Sequence, residues 1–290
     1  MDADAPRRGE GRTPGSGRNL SGGRLLGVVI PARDEESGVG ATLRSVLDSL
    51  DAAEAATAAE AGRPGSEPAL ACHVVCVVDG GEDATLDIAR RIAADDPRIE
   101  VLAQTSSGVG AARRAGCERV FAWASQVSGS PVPPRLWIGT TDADSLVPRG
   151  WASAHLGSEA AGEDMLVGMV RPDENGADPE LIAAWHRLHP ATEGHPFVFG
   201  ANLGFRAAAY RAVGGFSAVK HGEDVGLVAA FETAGARIRR SPVPCVTTSA
   251  RLAGRVEDGF STYVRELAST LPAGAEAGRA GCPPAELRHA

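Results

Sequence analysis

Apolar runs that end abruptly in polar residues punctuate the first half of the chain. Leu25–Pro31 is continuously apolar and breaks into Ala32-Arg33-Asp34-Glu35-Glu36. Such a run suits a strand buried on both faces of a parallel sheet. A helix follows, with Leu43, Val46, Leu47 and Leu50 spaced for one apolar face. His73–Val78 repeats the strand pattern and ends in Asp79-Gly80-Gly81-Glu82-Asp83; Leu86, Ala89, Ile92 and Ala93 then mark a second helix. Ile99–Leu102 reads as a shorter strand, and Gly108-Val109-Gly110 opens a third helix. After a loop over residues 128–134, Leu136–Gly139 is a fourth strand running into Thr140-Thr141-Asp142-Ala143-Asp144.

Strand-helix alternation over residues 25–145 predicts an α/β fold, a mostly parallel central sheet flanked by helices. Right-handed crossovers would bring Arg33, Asp79 and Asp144 to one edge, where open sheets of this kind place ligands. The second half is less regular. It predicts a strand at Met165–Val170, a short helix at Leu181–Leu188, and a helix at Ala207–Val213 stopped by Gly214-Gly215. Aromatic and small residues mix over 197–205, and His221-Gly222-Glu223-Asp224 precedes a helix with Val225, Val228 and Phe231 on one side. Residues 1–24, rich in Gly, Arg, Pro and Ser, read as a disordered leader. A Gly/Pro loop is expected near Arg63–Pro68, and residues 271–290 read as a flexible tail. That leaves two halves, 25–145 and 146–270.

Composition narrows the class. The 290 residues carry a net charge of −8, which argues against a nucleic-acid partner. No apolar run reaches the roughly 18 residues that a membrane-spanning helix needs, so only peripheral contact with a membrane stays open. The five cysteines (Cys72, Cys76, Cys117, Cys245, Cys282) show no paired spacing. An odd, sparse set fits reduced thiols in a cytoplasmic protein better than a disulfide frame or a zinc site. Cys72 and Cys76 fall in or beside a strand and are expected in the core.

Chemistry enters with Asp142-Ala143-Asp144. Two carboxylates one residue apart repel unless a cation or a shared proton offsets their charge. A hard divalent ion, Mn²⁺ or Mg²⁺, would do so, since such ions bind through one or two carboxylates plus substrate phosphates. Alone, the pair reads first as a solvated Asp-rich turn.

Six segments in order carry a resemblance: Val28–Glu36, Val77–Thr85, Gly108–Arg113, Asp142–Ser145, Gly200–Arg206 and Gly222–Val225. Together they resemble the family 2 glycosyltransferases of GT-A fold, over roughly residues 25–250. The resemblance implies transfer of a sugar from a nucleotide-diphosphate donor, metal-dependent and with inversion at the anomeric carbon. It makes 25–145 the nucleotide-sugar-binding half and 146–270 the acceptor-binding half.

By that resemblance Pro31, Ala32, Arg33 and Glu35 wrap the nucleotide, with Glu35 as the acidic contact. The alternative for Glu35 is a helix-initiating acid favoured by the helix dipole. Asp79 resembles the base-reading aspartate, able to accept the imide N–H of uracil, or else it forms a turn with Gly80. The family's usual Asp-Asp-Gly-Ser is Val78-Asp79-Gly80-Gly81 here, which weakens the case for uridine. Arg113 would reach the base or diphosphate, or else be an exposed helical arginine. Asp144 would hold the metal, with Asp142 supporting it or contacting the ribose. No third ligand is evident; His155 and His221 are candidates.

Asp224 matches the family's catalytic base, which takes the acceptor hydroxyl's proton; its alternative is a helix N-cap. Glu223 would line the acceptor pocket. Gly200 and Ala201 would allow close approach of the acceptor, a sugar, lipid or small molecule, and Asn202 would bond a hydroxyl or else sit in a core turn. The stretch Thr248–Arg251 lies where a late basic residue would reach the diphosphate. The Gln-x-x-Arg-Trp motif of processive synthases is missing from the sequence, which favours single transfer. A sugar-phosphate nucleotidyltransferase would carry a Gly-rich basic loop after the first strand, and Pro31–Glu36 is acidic without glycine. A catalytically inactive nucleotide-sugar-binding protein is the remaining alternative, disfavoured by intact Asp142, Asp144 and Asp224.

Overall fold

A computed structural model describes residues 22–61, 69–105, 107–175, 179–219 and 222–249. The predicted leader up to Ser21, the loop at 63–68, the tail, His221 and Arg251 lie outside these residues.

The four apolar runs form the expected strands. They are β1 (Arg24–Ala32), β2 (Leu70–Asp79), β3 (Ile99–Gln104) and β4 (Leu136–Thr140). Three helices connect them: α1 (Val39–Glu60), α2 (Thr85–Asp95) and α3 (Val109–Ser128). The strands pair in parallel, with Ala32 opposite Val78, Val29 opposite Thr140 and Asp79 opposite Gln104. The polar ends of all four therefore share one edge, as the crossover argument expects.

The chain continues through β5 (Ser145–Leu146), α4 (Trp151–Ala160), β6 (Met165–Pro172) and α5 (Pro179–Leu188). A 3-10 turn (Gly200–Asn202) leads into β7 (Leu203–Arg206) and α6 (Ala207–Ala212). Helix α7 (Glu223–Thr233) and strand β8 (Ile238–Thr248) complete the described fold. One eight-stranded sheet results, in the order β3-β2-β1-β4-β7-β6-β8-β5. Strand β7 runs antiparallel to both β4 and β6, and β5 antiparallel to β8. The sequence pattern did not anticipate α4, β5, β7 or β8.

Two apolar layers cover the sheet. One face packs on α1, α2 and α4 through residues such as Leu26, Leu43 and Trp151. The other packs on α3 and α7 through Val29, Val120, Phe205 and Phe231. Glycines let α3 lie close to the sheet: a Cβ at Gly116 would run into the Val29 side chain. At the edge remote from the site, Glu159 anchors Arg24 and Arg135, each at 3.0 Å.

Cys72, Cys76 and Cys117 are free and buried, and burial pushes the Cys76 and Cys117 thiols up to about 12. Cys245 is disulfide-bonded, which corrects the expectation of five reduced thiols. A disulfide needs no local paired spacing of the kind that marks a metal site, so the sequence does not reveal it. Among the described residues no helix is long and apolar enough to cross a membrane.

Candidate active site

The acid pair sits beyond the C-terminal end of β4, where three elements fix it. From α1, Thr42 donates its hydroxyl to the Ala143 carbonyl at 2.9 Å. The Ser249 N–H donates to the Asp144 carbonyl at 3.2 Å, and the Ser145 hydroxyl to Thr248 at 3.0 Å. The end of β8 thus borders the pair. Asp142 and Asp144 are both half-buried. Burial raises the Asp142 carboxyl above its ordinary value; Arg113 opposes this, while the charges of Asp144 and Asp224 add to it.

Asp224 lies in the first turn of α7. Its carboxylate accepts the Gly200 N–H at 2.8 Å and the Val225 N–H at 2.8 Å. It is not the N-cap: Gly222 holds that position in the left-handed conformation, without a side-chain cap. The 3-10 turn is in turn bound to β4, since Thr140 donates its hydroxyl to the Gly200 carbonyl at 2.8 Å. The acid pair and Asp224 therefore meet across one short stretch of backbone.

The first loop is braced against the second. The Glu35 N–H donates to Thr85 at 2.6 Å, the Glu36 N–H to Asp83 at 2.9 Å, and the Glu82 N–H to Asp34 at 2.9 Å. Pro31 and Ala32 are buried at the end of β1, Arg33 is exposed, and Glu35 is half-buried at the entry to α1. A cleft of about 240 Å³ adjoins this brace, lined by Gly80, Gly81, Glu82, Asp83 and Gln104 among others.

Four expected ligand residues are committed to the protein itself. Asp79 is 4% exposed; it accepts the Gln104 amide at 2.7 Å, the Ser107 N–H at 2.9 Å and the Gly108 N–H at 2.8 Å. It fastens the loop that opens α3 and is not a free Asx-turn before Gly80. Arg113 is 3% exposed, with Nη2 on Asp142 at 2.5 Å and Nη1 on Glu223. Glu223 is accordingly buried against Arg113 instead of lining a pocket. Asn202 is wholly buried: its amide donates to the Met169 and Pro244 carbonyls at 2.8 Å each and accepts Trp151 Nε1 at 3.0 Å. No group of Asn202 is left for a sugar hydroxyl. Ala201 is buried beside it, in the layer that holds Trp151. The reason is common to all four: the partners are remote in sequence, so local pattern cannot reveal that they are spent.

His155 also departs from its expectation as a metal ligand. It is buried, accepts Trp137 Nε1 at 3.0 Å and packs its ring 4.1 Å from that of Trp151. Burial lowers its pKa to about 3. Among the described residues no group of three His, Cys, Asp or Glu side chains is arranged to hold a metal. A divalent ion would rest on one or two carboxylates and take its other ligands from a bound diphosphate. Asp142 and Asp144, half-exposed and mutually repelling, fit that arrangement.

A parallel sheet with acids at its switch from parallel to antiparallel order defines a nucleotide-sugar fold of GT-A type. The chain belongs to glycosyltransferase family 2: the family model described as "Glycosyl transferase family 2" matches residues 27–214. Asp224 lies just beyond that span. Among solved structures, it is similar to the mannosyltransferase PcManGT from Pyrobaculum calidifontis, described in complex with GDP-Man and Mn²⁺. The TM-score is 0.55 at 15% identity, over 84% of this chain and 62% of that one. GalNAc-T7 with UDP, GalNAc and Mn²⁺ also gives 0.55, at 15% identity, over 84% and 48%. S. aureus TarS 1-349 in complex with UDP gives 0.50 at 16% identity, over 84% and 69%. At these identities the likeness is one of fold. The chain spans 62% of the mannosyltransferase and less than half of GalNAc-T7. No curated protein matches it in sequence.

Proposed function

We propose that the chain is a metal-dependent, inverting glycosyltransferase that moves one sugar from a nucleotide-diphosphate donor to an acceptor hydroxyl. The observation that supports this most is the relation of Asp224 to the acid pair. Its carboxylate is fixed by the Gly200 N–H, and its charge is felt at Asp142. A site for inversion needs a carboxylate set apart from the group that holds the departing nucleotide.

In this reading Asp144 is the ligand of Mn²⁺ or Mg²⁺, and Asp142 supports it with the oxygen that Arg113 leaves free. The metal, when bound, supplies charge stabilisation to the leaving diphosphate. Pro31, Ala32, Arg33 and Glu35 border the nucleotide. Asp79 contributes by holding the loop before α3, with both carboxylate oxygens taken by Gln104, Ser107 and Gly108. Asp224 takes the proton of the acceptor hydroxyl, and Gly200, buried with the Arg113 guanidinium against its Cα, positions that carboxylate instead of admitting the acceptor. The domain halves at 25–145 and 146–270 divide donor from acceptor. The complexes of the similar structures, with GDP-Man, UDP and Mn²⁺, support this class of donor. The acceptor in this reading is a sugar, lipid or small molecule, and the location is cytoplasmic.

The test is thermal unfolding with GDP, UDP and their sugars, with and without Mn²⁺. A ligand that binds only the native state raises the midpoint. A rise that needs both Mn²⁺ and a sugar nucleotide, followed by release of the nucleoside diphosphate, supports an enzyme. A rise without release in the presence of acceptors supports the inactive binding protein. The absence of any shift would overturn the proposal.

A further inference from the structure

We infer that Arg113 is a positioning residue and not a ligand of the donor: its guanidinium clamps Asp142 to Glu223, so that the sheet-edge acids and the first turn of α7 hold one geometry. The inference rests on the proposed roles of the acid pair and Asp224.

The clamp joins every element that carries the proposed chemistry. Arg113 comes from α3, Asp142 from the end of β4, and Glu223 from the first turn of α7, one residue before Asp224. Space is reserved for it. A Cβ at Gly200 would collide with the guanidinium. A Cβ at Gly110, one turn earlier on α3, would run into the Ser217 carbonyl and lie 3.1 Å from the Glu223 Cβ. The Phe216 ring covers the guanidinium with its centroid 5.9 Å away. Arginine suits the task because its planar fork serves two carboxylates at once, which a lysine ammonium does less well.

The electrostatics separate a clamp from a donor ligand. Asp142 and Glu223 place two carboxylates on one guanidinium. Removing that positive charge makes the acid pair no poorer a cation site. It would weaken diphosphate binding if Arg113 touched the phosphates. A clamp predicts the reverse pattern, with binding kept and geometry lost.

Mn²⁺ binding followed by electron paramagnetic resonance, and nucleotide release from GDP-mannose and UDP-N-acetylglucosamine, provide the readouts. In Arg113→Gln, Mn²⁺ should bind at least as tightly as in the wild type. KM should stay within about threefold, while kcat falls about 10²-fold through misplacement of Asp224. Arg113→Lys should restore part of kcat, and Glu223→Gln should reproduce the loss because it opens the same clamp from the other side. A KM rise of about tenfold or more with kcat kept would instead make Arg113 a donor ligand. Should Arg113→Gln fail to fold, Glu223→Gln and the charge-balanced Arg113→Gln/Glu223→Gln pair decide: wild-type kcat in either overturns the clamp. Wild-type protein that turns over no sugar nucleotide overturns the proposed function and this inference together. Wild-type turnover with an unaffected Arg113→Gln overturns the inference alone.

Discussion

The Gly200 N–H and the Asp224 carboxylate form a 2.8 Å hydrogen bond that joins the 3-10 turn before β7 to the first turn of α7. The bond fixes a carboxylate without neutralising it, and leaves it half-exposed beside the acid pair. It also makes the residue testable, because an amide oxygen can accept the same N–H. Asp224→Asn should therefore fold normally and bind donor as the wild type does. Its turnover should fall by about 10²-fold or more, the usual worth of a general base. Sugar transfer at a near wild-type rate would show that the base is another group.

Asp142 already spends one carboxylate oxygen on the Arg113 guanidinium, at 2.5 Å. In the proposed reading Asp144 is the metal ligand and Asp142 its support. Asp144→Ala should abolish the part of nucleotide affinity that depends on Mn²⁺ or Mg²⁺, measured by calorimetry with GDP and UDP. Asp142→Ala should cost less in metal affinity, and should also loosen Arg113. Metal-dependent affinity that is unchanged in Asp144→Ala would remove its role.

The part of the fold that was legible in the sequence is the part held by local pattern. Strands β1, β2 and β4 are buried over most of their length and read as apolar runs, while the edge strand β3 is only half-buried but keeps an apolar bias, so their polar ends could be set on one edge from pattern alone. Strand β8 was illegible because Arg239, Arg240, Pro242 and Pro244 interrupt it, and proline within a run argues against a strand. It is accommodated by an irregularity in the register opposite Gly168 and Met169. Helix α4 hides for a different reason: Trp151, Ala152, His155, Leu156, Ser158 and Glu159 are all buried, so polar residues lie on its inner side. At the site, the types of residue were legible and their partners were not. Asp79, Arg113, Glu223 and Asn202 all carry suitable chemistry, and each is occupied by a group 25 or more positions away.

Asn202 shows how much such a residue is worth. Its side chain satisfies three buried groups on α4, β6 and β8, and a Cβ at Gly168 would occupy its space. Asn202→Ala leaves the Trp151 N–H and two carbonyls without partners, each at a cost of about 1–3 kcal/mol. A loss of about 3 kcal/mol or more in urea unfolding is expected. The metal affinity of whatever protein remains folded should be little changed. A loss of less than about 1 kcal/mol would mean that water or a rearrangement replaces the three bonds.

His155 makes a separate prediction about acid. Indole N–H is a donor only, so the 3.0 Å contact from Trp137 Nε1 requires Nδ1 to be the acceptor and puts the ring proton on Nε2. The ring is buried and neutral, and its pKa drops from 6.5 to about 3. Between these values the unfolded chain takes up a proton that the folded chain refuses. The contribution is complete above pH 6.5 and declines as pH falls toward 3. His155→Gln keeps an acceptor for Trp137 but does not titrate. The stability of the wild type relative to this variant should fall by about 1.4 kcal/mol per pH unit below the histidine's unfolded pKa. Urea unfolding of both proteins at pH 7, 6 and 5 measures that slope, and the subtraction removes the carboxylates common to the two. A difference independent of pH over this range would show that His155 is protonated in the folded protein or exposed to water.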